Sequence, residues 1–103
     1  MKGLGDLQKM LKTAKEMQEK LQKELAEMRV EGTSGGGMVV VTLDGQKNLI
    51  SLKIEPEVVN KEDVEMLQDL IIAAFNDAAA KVDEHLSQKL GSLGTGLKIP
   101  GLF

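Results

Sequence analysis

Apolar residues recur at Leu4, Leu7, Leu11, Ala14, Leu21, Leu25 and Met28, in alternating steps of three and four around one polar member, Gln18. Such a heptad stripe predicts a long amphipathic helix over residues 4–29 with coiled-coil character. About 25 residues at 1.5 Å rise make an arm of roughly 37 Å. Its polar side carries Lys12 with Glu16, Lys15 with Glu19, Glu16 with Lys20, and Glu19 with Lys23, all four apart. Such couples contribute about 0.2–0.5 kcal/mol each, which serves solubility more than stability.

The period then changes. Gly35-Gly36-Gly37 interrupts the chain where backbone angles closed to other residues are needed. After it, Met38 to Leu43 reads as a strand. Asp44-Gly45 signals a hairpin turn, because glycine tolerates the positive φ that tight turns require. Lys47 to Ile54 follows as a strand with Ile50, Leu52 and Ile54 on one face and Ser51 and Lys53 on the other. With residues 28–33 as a first strand or extended lead-in, the prediction is a three-stranded antiparallel meander over 30–55. Met38, Val40 and Thr42 alternate with Val39, Val41 and Leu43, so the middle strand reads as apolar on both sides. One side is expected to meet the chain's own helices and the other a second copy, with Met38, Val39, Val40, Val41 and Leu43 as the interface.

Pro56 ends the sheet, since it cannot continue the ladder. Asn60 suits a helix N-cap, and Glu62, Asp63 and Glu65 fall in the first turn where the macrodipole favours anions. A second long helix is predicted over 61–90, with Val64, Leu67, Leu70, Ile71, Ala74, Phe75, Ala78, Val82 and Leu86 on one broad face, stopped by Gly91. Residues 91–103 are too glycine-rich for an element and read as a flexible tail with apolar beads. The expectation is a single α+β domain over 1–90, ordered α-β-β-β-α.

Composition narrows the chemistry. The 103 residues contain no cysteine, tryptophan or tyrosine and two phenylalanines. Thiolate metal sites, disulfides and aromatic base-stacking platforms are thereby excluded. One histidine, His85, with no partner motif makes an enzyme the weakest class; it reads as a surface or interface residue, and no metal or cofactor is expected. The glycine run lacks the Gly-Lys-Ser/Thr of a phosphate loop and reads as a bend. Glu62, Asp63 and Glu65 lack the spacing of a calcium loop. Asn76, set among alanines, reads as a structural hydrogen-bonding group. No segment approaches the roughly 20 apolar residues that span a bilayer, and the start lacks a signal peptide's apolar run, so a cytoplasmic protein without membrane or small-molecule partners is expected.

The net charge of −3 is unevenly spread. Lys2, Lys9, Lys12 and Lys15 face one acid, Asp6, across the first fifteen residues, whereas Glu55 to Asp69 is strongly acidic. If the helices pair along their lengths they lie antiparallel, and the start of the first meets the end of the second. That arrangement would collect Lys2, Lys9, Lys12 and Lys89, with Lys81 and Lys98 nearby, at a cationic tip able to neutralise phosphates. Lys2, Lys9, Lys12, Lys15 and Lys89 are the candidate DNA contacts.

In the order and spacing of its pieces the chain resembles the YbaB/EbfC family of nucleoid-associated proteins. The similarity runs through Met17-Gln18 and Leu21-Gln22, the Val30-x-Gly32-x-Ser34-Gly35-Gly36-Gly37-x-Val39 junction, the turn near Gly45, Ile54-x-Pro56-Glu57, the run from Leu67 to Ala78, and Pro100-Gly101. The resemblance implies a tweezer-shaped homodimer that binds double-stranded DNA through its helical arms in the bacterial nucleoid, with a role in nucleoid organisation and gene regulation. The acidic balance favours localised contact over indiscriminate coating. A protein-interaction scaffold using the heptad arms and the apolar tail is the competing reading.

Overall fold

The computed structural model describes residues 2–93. Two long helices flank a three-stranded sheet: α1 (Lys2–Glu27), β1 (Val30–Ser34), β2 (Val39–Leu43), β3 (Leu49–Ile54) and α2 (Val64–Leu93), with short 3-10 turns at Gly35–Gly37 and Pro56–Val58. The strands form an antiparallel sheet in the order β1-β2-β3. The α-β-β-β-α order and the meander follow the sequence expectation, while the tail beyond Leu93 lies outside the described residues.

Alternation decides the core. Val39, Val41 and Leu43 of β2 are wholly buried, together with Val30 of β1, Val58, and Ala74, Ala78 and Val82 of α2. Small residues on α2 let β1 approach closely. A Cβ at Gly32 would fall inside contact distance of the Ala74 carbonyl oxygen and of the Ala78 nitrogen and Cα. Two further contacts fasten that approach: the Thr33 N–H donates to Asp77 Oδ2 at 2.9 Å, and Ser34 Oγ donates to the Leu70 carbonyl at 2.6 Å.

The glycine run behaves as its composition dictates. Gly35, Gly36 and Gly37 have φ of 59°, 69° and 94°, a succession of left-handed angles that returns the chain from β1 to β2. The β2–β3 turn works differently from the expectation. Its left-handed residue is Lys47, at φ 65°, and not Gly45. Asp44 holds the loop: its carboxylate is buried and accepts from the Gln46 N–H at 2.8 Å, the Asn48 N–H at 2.9 Å and Asn48 Nδ2 at 2.9 Å.

The start of α2 is also corrected. Asp63 caps it, with Oδ1 accepting from the Met66 N–H at 3.1 Å, because Asn60 is used one turn earlier to accept from the Glu62 N–H at 2.9 Å. Gly91 does not stop the helix. It lies within α2, which runs on to Leu93.

The middle strand is not apolar on both sides. Across the face turned away from α2, the register aligns Glu31 with Thr42 and Ser51, and Thr33 with Val40 and Lys53, a polar surface with one valine. Val39, Val41 and Leu43 are enclosed within the protomer, at 0%, 1% and 0% exposure, and so offer no surface to a second copy. Of the five residues expected at an interface, Met38 is exposed and Val40 half-buried, and the other three are buried.

Candidate nucleic-acid interface

α1 is rooted at one end and free along the rest. Its root is the β2–β3 turn, where the Gly45 N–H donates to the Leu25 carbonyl at 2.8 Å. Leu25 is half-buried there, and every described side chain from Gly3 to Lys23 is exposed. Lys89 Nζ of α2 meets Glu24 Oε2 at 3.3 Å, so the C-terminal part of α2 lies beside the C-terminal part of α1. Helices of roughly 39 Å and 45 Å that overlap by about two turns account for the 74 Å long dimension.

This geometry changes the expected cationic tip. The helices do not pair along their lengths, because β1 and not α1 occupies the α2 face that carries Ala74 and Ala78. Lys89 is therefore carried to the root of the arm, about 22 Å along α1 from Lys9, and is engaged by Glu24. Lys81 is also drawn away, pairing with Asp77 at 3.1 Å beside β1. Lys98 lies outside the described residues.

What remains on the arm is Lys9, Lys12 and Lys15, all exposed, with Lys2 at the start of the helix. Spacing of three sets Lys9, Lys12 and Lys15 as an oblique ladder across the polar side of α1. The i,i+4 couples expected on this helix are not closed; among the described residues the ion pairs are Lys47–Asp83, Lys81–Asp77 and Lys89–Glu24. The first turn of α1, exposed from Gly3 onward, adds the positive end of the helix dipole.

A cluster of acids occupies the opposite end of the molecule from the tip of the arm. Asp63, Glu65 and Asp69 line a shallow, open depression with Met66, Leu70 and Ala73 near the start of α2. The molecule is thus polarised lengthwise, with the basic outer half of the arm at one end and an acidic helix start at the other.

Two charged groups fix the geometry behind the arm. The Thr33 N–H, and then the Lys81 ammonium, hold the Asp77 carboxyl below its usual value of 3.8. The Asn48 side chain and N–H, with the Gln46 N–H, do the same for Asp44 against the opposing effect of burial. Sequence reasoning missed Asp77, which follows Asn76 on α2 in a turn otherwise dominated by small residues. Asn76 and His85 are exposed.

The sequence places Ile50, Leu52 and Ile54 on one face of β3, but it does not show that this face is left uncovered or that Leu49 joins it. The register places Ile54 opposite Val39, Leu52 opposite Val41 and Leu49 opposite Leu43, all on the face that α2 covers elsewhere. α2 lies over β1 and β2 and leaves β3 open, so Leu49, Ile50 and Leu52 are 54%, 45% and 40% exposed. A β-bulge between Thr42 and Leu43 brings Leu49 onto this face beside Ile50 and Leu52. Ile72, at 58%, is exposed on the flank of α2 remote from Asp77.

A small α+β chain with a meander between two long helices, one of them a free-standing arm with a basic outer half, defines a recognisable class. The chain belongs to the YbaB/EbfC DNA-binding family, which it matches over residues 1–97. It is 54% identical over 104 residues to a nucleoid-associated protein of Geobacillus kaustophilus, covering 98% of this chain and 96% of that one. It is 48% identical over 106 aligned positions to a nucleoid-associated protein of Exiguobacterium sibiricum, covering both chains completely. The crystal structure of an uncharacterized protein of Helicobacter pylori has the same fold, with a TM-score of 0.70 at 28% identity over 84% of this chain and 91% of that one.

Proposed function

We propose that this protein binds duplex DNA as a nucleoid-associated homodimer, contacting phosphates through Lys2, Lys9, Lys12 and Lys15 of α1. The observation that carries this reading is the arm itself. Lys9, Lys12 and Lys15 stand on a helix exposed from Gly3 to Lys23, and Asp6 is the one acid within the first fifteen residues. Contacts of this kind position a protein on the duplex and release counterions without reading base edges. The polarised charge explains how a chain of net charge −3 can approach a polyanion, because the arm presents its basic end first. Lys89, paired at the root, contributes to holding the arm and not to the grip.

The homodimer rests on the β3 strip. Leu49, Ile50 and Leu52 form a half-covered apolar surface that Ile54 joins to the core, and a second copy presenting the same strip covers it by a two-fold contact. This moves the interface from the valines of β2 to the neighbouring strand. Two arms then project from one body, the arrangement that the family resemblance implies, and the family's DNA-binding character supports a role in nucleoid organisation and gene regulation without catalysis.

Fluorescence anisotropy on two unrelated duplexes tests the assignment. Lys9→Glu, Lys12→Glu and Lys15→Glu together are expected to abolish binding to both duplexes at low salt while the dimer persists. Unchanged affinity would overturn it. A pull-down from nuclease-treated extract separates the protein-scaffold reading, in which partners survive digestion of the DNA.

A further inference from the structure

The polar side of α1 is used by the DNA-contact reading, and its apolar side is not. Leu4, Leu7, Met10, Leu11, Met17 and Leu21 are each 50–68% exposed, on a helix whose own sheet and second helix end at its root. A continuous apolar stripe of this length marks a contact with another protein surface.

We infer that this stripe docks against α1 of a second copy, the two helices running antiparallel. The stripe is self-complementary when reversed about the midpoint between Leu11 and Ala14: Leu4 then faces Leu21, Leu11 faces Ala14, and Leu7 faces Gln18. Large residues meet small ones at the centre, and leucines meet at both ends. Gln18, the single polar member of the stripe, penalises other alignments and so fixes the register. Along the flanks Met10 lies beside Met17 of the other helix, and Gln8 beside Lys15, so no like charges are opposed.

Charge favours the same orientation. Residues 1–15 carry Lys2, Lys9, Lys12 and Lys15 against Asp6, whereas residues 16–27 carry Glu16, Glu19, Glu24 and Glu27 against Lys20 and Lys23. Antiparallel pairing lays the basic half of each arm along the acidic half of the other and opposes the two helix dipoles. Parallel pairing would stack the two basic halves. Lys9 and Lys12 stay on the outer side of the pair, at positions that face water, and so remain open to phosphate, while Lys15 lies at the flank of the pair. The contact is isologous and joins dimers to one another through their arms.

Two measurements made without DNA test this, so their outcome is separate from duplex binding. Light scattering is expected to give a mass above that of two chains, rising with concentration, for the unaltered protein. Leu7→Glu with Leu11→Glu, both at exposed positions that leave the sheet and α2 intact, is expected to give two chains at every concentration; a mass matching the unaltered protein would overturn the inference. The chain has no cysteine, so Met10→Cys and Met17→Cys can be introduced singly and joined by a short bismaleimide. A mixture of the two single variants is expected to cross-link far more than either alone, since Met10 of one arm lies about 3 Å along the axis from Met17 of the other, while the two Met10 positions lie about 7.5 Å apart and the two Met17 positions about 13.5 Å. Equal cross-linking in each single variant, or none in the mixture, would also overturn it.

Discussion

The Gly45 amide donates to the Leu25 carbonyl at 2.8 Å, and a Cβ at Gly45 would lie 2.7 Å from Leu25 Cδ2 and 3.0 Å from Leu25 Cα. The hairpin turn and the end of the arm therefore touch through backbone, and the glycine is required by that approach and not by its dihedral angles. Gly45→Ala is expected to cost about 1–3 kcal/mol and to loosen the arm at its root. A lowered thermal midpoint, with faster amide exchange in residues 20–27, checks it.

Gly32 is more tightly enclosed, since a side chain there would meet the backbone of α2 at Ala74 and Ala78 and not a yielding side chain. Gly32→Ala is expected to destabilise the fold by at least about 3 kcal/mol, more than Gly45→Ala. Denaturant unfolding of the two variants compares them directly.

Asp77 links α2 to β1 through the Thr33 amide, and that hydrogen bond with Lys81 keeps its carboxyl below 3.8. Because the folded value is the lower one, the unfolded chain binds the proton first as pH falls. Stability from this group is thus complete above the ordinary value of 3.8 and is lost as pH falls through the depressed one. Asp77→Asn is expected to be less stable at neutral pH and to show a shallower loss of stability on acidification. Urea unfolding at a series of pH values reads both effects.

Leu52 lies on the β3 strip at 40% exposure, outside the fully buried core. Leu52→Glu is expected to give a folded single chain when placed in a protein whose arm stripe carries Leu7→Glu and Leu11→Glu. Circular dichroism checks the fold, and sedimentation checks the mass; a persistent dimer would remove β3 from the interface.

Much of the architecture was legible because single residues carried it. The heptad leucines of α1, the three left-handed glycines and Pro56 each act through local geometry that a sequence displays. The placement of α1 was not legible. An apolar stripe announces that a helix will be covered but not by what, and the small residues Gly32, Ala74 and Ala78 gave the face of α2 to β1. The same competition hid the interface: alternation in β2 showed two faces, while the uncovered strip on β3 depends on where α2 lies across the sheet. The lysines of α1 were legible as charge, but only the projection of the arm separates Lys9, Lys12 and Lys15 from Lys89.

The salt dependence of duplex affinity tests most directly whether the arm lysines grip phosphates. Plotted as log affinity against log salt, the unaltered protein should show a steep negative slope of about 0.9 for each phosphate neutralised. Replacing Lys9, Lys12 and Lys15 by glutamine should flatten it by roughly one for each lysine in contact, with little change in preference between duplex sequences. An unchanged slope in the triple glutamine variant would contradict the account.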